Sequence, residues 1–517
     1  MSAARPTSGV RRRRQASGLL VALLAAVLVL VPVAGGRSHP AQAADERNGD
    51  GTPVVLIVLD ELPTASLMTR NGLKIDARRF PGIAAFASGA TWYRDNMTVG
   101  DFTAWAVPSI LSGQVGDLDL LPTSADYPQN IFTLLGPGRN VNVLEPLTEL
   151  CPVSICPGGG QGQVTGVDNA VDFIKAKFHP FDPATLQGWI DAIPPGEGSL
   201  SVLHLISPHF PFRYTPEGKT YVAGHLGMPT DLNLDGWTVG EFGVSFVQQR
   251  HLIQLGYTDL MVGRILDRIR QNGDFDRAMI VLTADHGLSF DPAGLRRNAT
   301  PGNVGATVNP PLIIKFPGQT QGEISNVATR STDILPTVAA TIGAVVPAAD
   351  GLPVDEIPPD RQTTVSRFLV SPLVTTAGQV RQGRSRALAA QFRRLGDRGL
   401  WQLGPRSFLI GKRPGKTPFD SRSRYRLDQR KARIRQADAS DGSVPALISG
   451  QLAGLAPGRL LALAWNGRIV ATTRAFSYQG RIQFGAMVPP AVMRRGQNRI
   501  TLYVGGPGGG LLRVHPS

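Results

Sequence analysis

Between residues 53 and 345, apolar residues cluster in short unbroken runs separated by longer helical patterns. Five runs read as strands: PVVLIVLD (53–60), NVNVLEPL (140–147), SLSVLHLIS (199–207), AMIVLTADHG (278–287) and PPLIIKFP (310–317). A strand with one wet face alternates apolar and polar residues, whereas an unbroken run predicts cover on both faces. Between the third and fourth runs, residues 250–273 (RHLIQLGYTDLMVGRILDRIRQNG) carry apolar positions at helical spacing. This segment stops at Asn272-Gly273, which suits a helix C-terminal cap. Strands alternating with helices predict an α/β domain with a mostly parallel sheet sandwiched by helices.

Beyond 345 the pattern changes. A Pro-rich stretch, PAADGLPVDEIPPD (347–360), closes the first region, and an Arg-rich stretch follows. From about 440 the runs ALISGQL, RLLALAWNGRIVATTRAF, RIQFGAMVP and NRITLYVGG predict a small antiparallel β-sandwich, with Asn466-Gly467 as a hairpin turn. At the other end, Arg11 to Arg14 precede the apolar GLLVALLAAVLVLVPVAGG, and AQA at 41–43 offers a cleavage site. The expected organisation is a signal peptide or N-terminal membrane anchor (1–43), an α/β domain (44–346), a connector (347–439) and an accessory β-sandwich (440–517). The expected location is secreted or in the cell envelope, on the outer face of the cytoplasmic membrane.

Composition sharpens this picture. Across 517 residues, 42% hydrophobic and 18% charged content describes a folded chain with a large core. Cys151 and Cys156, in CPVSIC, are placed to close a small disulfide loop in an oxidising compartment. The net charge of +14 is concentrated: residues 361–435 hold 19 Lys and Arg against 3 Asp, a local +16. Such a stretch suits an anionic membrane surface or a phosphate-bearing envelope polymer, with no nucleic acid as partner. A solvated Arg-rich connector is the plainer alternative.

In an open parallel sheet, ligands bind beyond the carboxyl ends of the strands. Three runs end in chemistry there: Asp60 and Glu61 after the first, Asp285 and His286 after the fourth, and His209 after the third, with His204 upstream. These are hard or borderline ligands for a divalent cation, and no soft cysteine set competes with them. Singly each is weak, since Asp60 could only cap a helix and His209 could only sit in a loop. A further stretch, GDFTAWAVPSILSG (100–113), adds Thr103, with Val107-Pro108 predicting a helix start just after it. A hydroxyl near a helix N-terminus lies in positive potential that favours an alkoxide and an anionic ester.

The order strand-Asp, Thr with Ser-Gly ten residues on, His in PHFPF, then strand-DHG resembles the sulfatase-like branch of the alkaline phosphatase superfamily over about 53–345. Within that branch it most resembles the lipoteichoic acid synthase-type phosphoglycerol transferases. The resemblance implies Thr103 as nucleophile, His209 as the phosphate-contacting catalytic histidine, and Asp60, Thr103, Asp285 and His286 as metal ligands. Glu61 stands as a further candidate ligand, and His204, Arg296 and Arg297 as substrate-binding residues. Sulfatases carry an oxidised Cys or Ser where this chain has Thr-Ala-Trp, so the formylglycine route to sulfate esters is disfavoured. Two-zinc relatives need an Asp-x-x-x-His pair and a later histidine; only His515 follows DHG here. One divalent ion is therefore expected: Mn, alternatively Mg, Ca or Zn. The expected function is an exported enzyme transferring or hydrolysing a phosphoglycerol-type ester on an envelope lipid or glycan. The alternatives are a sulfuric ester hydrolase of envelope glycans and a non-catalytic polymer-binding protein.

Overall fold

Seven strands form one sheet in the order β3-β4-β1-β5-β6-β2-β7. They are β1 (Val54–Asp60), β2 (Thr91–Tyr93), β3 (Asn140–Leu144), β4 (Ser199–Pro208), β5 (Met279–Ala284), β6 (Leu312–Lys315) and β7 (Glu323–Ser325). In this computed structural model the described residues are 49–157, 164–179, 181–222, 236–368 and 370–517. The expected signal or anchor segment at 1–43 lies outside them. β1 is flanked by β4 and β5, parallel to both, and β3 continues the parallel set. Only β6 runs against its neighbours β5 and β2. The fold is thus α/β with a mostly parallel sheet flanked by helices, followed by a C-terminal, mainly antiparallel sheet.

The unbroken apolar runs are explained by burial on both faces. Val55, Ile57 and Leu59 pack with Leu252, Leu255, Val262 and Ile265 of the crossover helix Glu241–Gln271. Val54, Leu56 and Val58 pack on the opposite face with Val107, Ile110 and Leu111 of the helix Thr103–Ser112. Burying a side chain of this size contributes about 1.5–3 kcal/mol, which fixes the register. β3 departs from the expectation: as an edge strand it is half-buried, with Asn140 exposed. The crossover helix ends at Asn272, and Gly273 follows in the left-handed region at φ 78°, as its sequence indicates.

The Thr103 helix starts four residues ahead of the expected Val107-Pro108 turn. Pro108 lies inside it and cannot donate to the carbonyl of Ala104. Aromatic packing recruits the extra turn: Trp105 lies 5.0 Å from Phe102 and 6.1 Å from Phe368, centroid to centroid. Ser109 and Ser112 donate back to the carbonyls of Trp105 and Pro108, so both are helix residues, and Gly113 at φ 72° ends the helix.

The 347–439 stretch holds a hairpin, β8 (Gln362–Arg367) and β9 (Val370–Thr376), then a helix Ala377–Leu395. Thr376 and Gln379 close a capping box at that helix start. Its Leu388, Phe392 and Leu395 join the same core as the crossover helix. Strand β10 (Phe419–Leu427) enters the C-terminal sheet with β11 (Leu447–Ala453), β12 (Leu460–Trp465), β13 (Arg468–Arg474), β14 (Phe476–Tyr478), β15 (Arg481–Met487), β16 (Ile500–Gly505) and β17 (Leu511–Pro516). All paired strands there are antiparallel except β10 with β17. Asn466-Gly467, both with positive φ, turn β12 into β13. Cys151 and Cys156 are disulfide-bonded, with Cα atoms 6.0 Å apart. Among the described residues no helix is long and apolar enough to cross a membrane.

Candidate functional site

Register brings the acidic strand ends together. His204 of β4 is the partner of Val58, and Thr283 of β5 pairs with the same residue. Alternation therefore directs His204, Asp60 and Asp285 to the face covered by the Thr103 helix. One ligand atom from each of these three buried residues lies within 4.8 Å of the others. His204 Nε2 is 3.8 Å from Asp60 Oδ2. Both Asp60 oxygens and both His204 nitrogens are buried without a hydrogen-bond partner among the described residues. Burial, together with the charges of Asp285 and Glu61, raises the Asp60 carboxyl well above its usual range despite the opposing Arg297. Burial likewise lowers His204 to about 4, so its ring is neutral near pH 7. Unpaired buried carboxylate oxygens and a neutral imidazole are costly unless a cation joins them. Two oxygen donors and one nitrogen suit a hard-to-borderline divalent ion, so the residues fit the metal expected of the fold.

Asp285 links this cluster to the nucleophile candidate. Its Oδ2 accepts from Thr103 Oγ1 at 2.8 Å. Its Oδ1 accepts from the backbone N–H groups of Glu61 at 3.0 Å and His286 at 2.6 Å. His286 Nδ1 lies 3.0 Å from the Gly287 carbonyl, to which it donates. The ring Nε2 is buried, without a partner among the described residues, and 3.5 Å from Asp285 Oδ2. Gly287 lets the chain turn at this point: a Cβ there would stand 1.9 Å from the Ala306 carbonyl oxygen.

Glu61, a candidate metal ligand in the sequence, turns the other way. It is left-handed at φ 62°, and its carboxylate accepts from Arg297 Nε at 2.5 Å. Burial alone would raise Glu61, but Arg297, His209 and Arg296 outweigh it and hold the carboxyl well below its usual range. The same guanidinium hydrogen-bonds His209 Nε2, while His209 Nδ1 bonds the Phe210 carbonyl. Burial lowers His209 to about 4, so the neutral ring donates from Nδ1 and accepts from Arg297. His209 in this geometry orients Arg297, and the cationic donors on that side are Arg297 and Arg296. Both arginines are buried, 3% and 1% exposed, which excludes a surface pair. Arg296 also lies over the Phe210 ring at 5.9 Å.

Other buried charged residues lie elsewhere. Lys315 ends the reversed strand β6 opposite Ile280, at the other end of the strands from Asp285, and donates to the Asp276 carbonyl at 2.8 Å. Asp259, on the crossover helix, accepts from the Gly82 and Ile83 N–H groups at the start of the helix Pro81–Ala87. Asp333 accepts from the Arg330 N–H and pairs with Arg361. Two residues escaped sequence reasoning. Asp101 accepts from the N–H groups of Ala299 and Phe368 and ties their loops to the start of the Thr103 helix. His251, on the crossover helix, is buried between Phe212 and Phe290. Asp101 stands two residues before Thr103, the one signal that could have flagged it; His251 carries none.

Residues 53–344 match the Sulfatase family. The inner membrane protein YejM of Salmonella typhimurium is 25% identical over 107 residues, 21% of this chain and 17% of YejM. The chain thus matches under a fifth of the length of these curated relatives. Similar solved structures include a phosphonate monoester hydrolase from Silicibacter pomeroyi, 20% identical, with TM-score 0.43, covering 62% of this chain and 81% of that one. They also include the lipoteichoic acid synthase LtaP from Listeria monocytogenes, 12% identical, with TM-score 0.39, covering 68% of this chain and 93% of that one. With the family match spanning more than half of its length and carrying Asp60, Thr103, His204 and Asp285, the chain belongs to the sulfatase family.

Proposed function

We propose that the protein is an exported, metal-dependent enzyme that transfers or hydrolyses a phosphoglycerol-type ester on a cell-envelope lipid or glycan, with Thr103 as nucleophile. The observation that carries the reading is the hydrogen bond from Thr103 Oγ1 to Asp285 Oδ2, beside the unpartnered atoms of Asp60, His204 and His286. Asp60, Thr103, Asp285 and His286 are the ligands favoured by the family resemblance, and His204 is favoured as a ligand by its position. A bound divalent ion would lower the hydroxyl pKa and offset charge on the phosphoryl group.

Thr103 begins a ten-residue helix, so its oxygen lies in the positive end of the helix dipole. Its proton is directed at Asp285 Oδ2. The oxygen forms a bond to phosphorus in line as the bond to one ester oxygen breaks, that oxygen leaves with the proton that Thr103 gave up, and the phosphoryl group stays on Thr103 with its remaining ester. Water, or a hydroxyl of the acceptor, then takes the phosphoryl group and restores the threonine. Arg297 and Arg296 carry the positive charge for the equatorial oxygens, and Glu61 and His209 hold Arg297 in place. The formylglycine route is closed here, because Thr occupies the nucleophile position and both cysteines are in one disulfide.

The test is turnover of a chromogenic phosphodiester by the exported chain and its Thr103→Ala variant, with metal content measured for both. The variant is expected to lose activity on the order of a thousandfold or more. Equal activity of the two proteins overturns the nucleophile assignment.

A further inference from the structure

The Arg-rich stretch has no part in the chemistry above, yet the structure gives it a place. The helix Ala377–Leu395 separates two cavities, of about 410 Å³ and 370 Å³, and Arg393 and Arg394 line both. The first also meets Arg386 and the backbone after Glu61 and His286, at Pro63 and Leu288. The second is closed by β13 and the loop Gly404-Pro405-Arg406, so that Arg406, Thr472 and Arg474 face it together.

Five arginines therefore surround the two spaces, against Asp291 in the first and Glu241 in the second. None of the five makes a salt bridge among the described residues. Behind the wall of the second cavity, Arg394 Nε and Thr472 Oγ1 are buried without a hydrogen-bond partner among the described residues, while Arg394 Nη1 donates to Gln248 Oε1 at 3.2 Å. Thr472 is 1% exposed. Each such buried group is costly to leave unpaired. The wall is also built closely: Gly404, at φ 134°, would set a Cβ 2.4 Å from the Thr472 carbonyl oxygen, so only glycine fits. Arg474 is held in place by the Gly458 carbonyl at 2.6 Å and by the Phe242 ring at 5.5 Å.

We propose that the second cavity is a phosphate-binding site, separate from the catalytic centre, in which Arg394 and Arg474 receive the phosphate group and Arg393 and Arg406 line the rim. Guanidinium groups match phosphate oxygens in geometry. The phosphate can belong to a soluble ester or to a lipid head group, and the two are distinguished by experiment.

Binding of glycerol phosphate is measured by calorimetry on the exported chain in EDTA, and binding of phosphatidylglycerol vesicles by co-sedimentation against phosphatidylcholine vesicles. Arg394→Gln is expected to weaken binding about tenfold. Arg474→Gln is expected to weaken it by a similar factor, and the exposed Arg406→Gln about threefold. Loss in the calorimetric arm names a soluble ester, and loss in the vesicle arm names a head group. The proposal is overturned if neither probe binds, if all three variants bind like wild type, or if only Arg297→Gln abolishes binding, which assigns the phosphate to the catalytic centre.

Discussion

Glu61 and Arg297 form the buried ion pair on which the orientation of the cationic donors depends, and a double-mutant cycle measures it. Both side chains are almost fully buried, 2% and 3% exposed, and the guanidinium meets the carboxylate at 2.5 Å. Removing one partner leaves the other charge buried and unpaired, which costs about 3–5 kcal/mol. Glu61→Gln and Arg297→Gln are each expected to destabilise by that amount, while the double variant, which strands neither charge, loses about 0–3 kcal/mol. The coupling is therefore at least about 3 kcal/mol. Glu61 keeps its left-handed φ of 62° with either Glu or Gln, so the backbone term cancels within the cycle. The assay is guanidinium denaturation in EDTA, comparing midpoints at a common slope. Strictly additive single effects would show that the pair does not act as a unit, and the account of Arg297 as a positioned donor would fall with it.

Metal titration calorimetry separates the ligand sets: Asp60→Asn and Asp285→Asn abolish binding, and His204→Gln weakens it about 10–100-fold if His204 ligates rather than contacts substrate. Unchanged affinity in His204→Gln returns that residue to a substrate role. His251 is lowered to about 4 by burial, below its unfolded value of about 6.5. Its contribution is complete above pH 6.5 and is lost at about 1.4 kcal/mol per unit as pH falls toward 4. His251→Phe, which suits the Phe212 and Phe290 neighbours, is expected to flatten this part of the stability profile, and an unchanged slope counts against it. Gly287→Ala drives a Cβ into the Ala306 carbonyl, so it is expected to cost several kcal/mol by denaturation and to displace His286. A crystal structure of that variant with His286 unmoved refutes the reasoning.

The central strands were legible because their burial on both faces writes an unbroken apolar run, and the candidate ligands Asp60, Asp285 and His286 because they directly follow such runs. Thr103, Asp60, Asp285 and His286 meet in the structure where their strand and helix ends converge. The role of His204 was not readable, since it depends on lying opposite Val58, a register that only the folded sheet defines. The partner of Glu61 was hidden for the same reason: Arg297 is 236 residues away. Pro108 misled the helix start, because long-range packing on Phe368 extends the helix backwards past the proline. The helix at 377–395 carries a readable capping box, Thr376 to Gln379, and a Gly396 stop, but its arginines made the stretch read as solvated connector.

The most direct test of the account is mass spectrometry of the protein quenched during turnover of a phosphodiester. The account predicts a phosphoryl adduct on the peptide carrying Thr103, absent from Thr103→Ala. Turnover with no adduct on that peptide, or an adduct mapped to another residue, contradicts it.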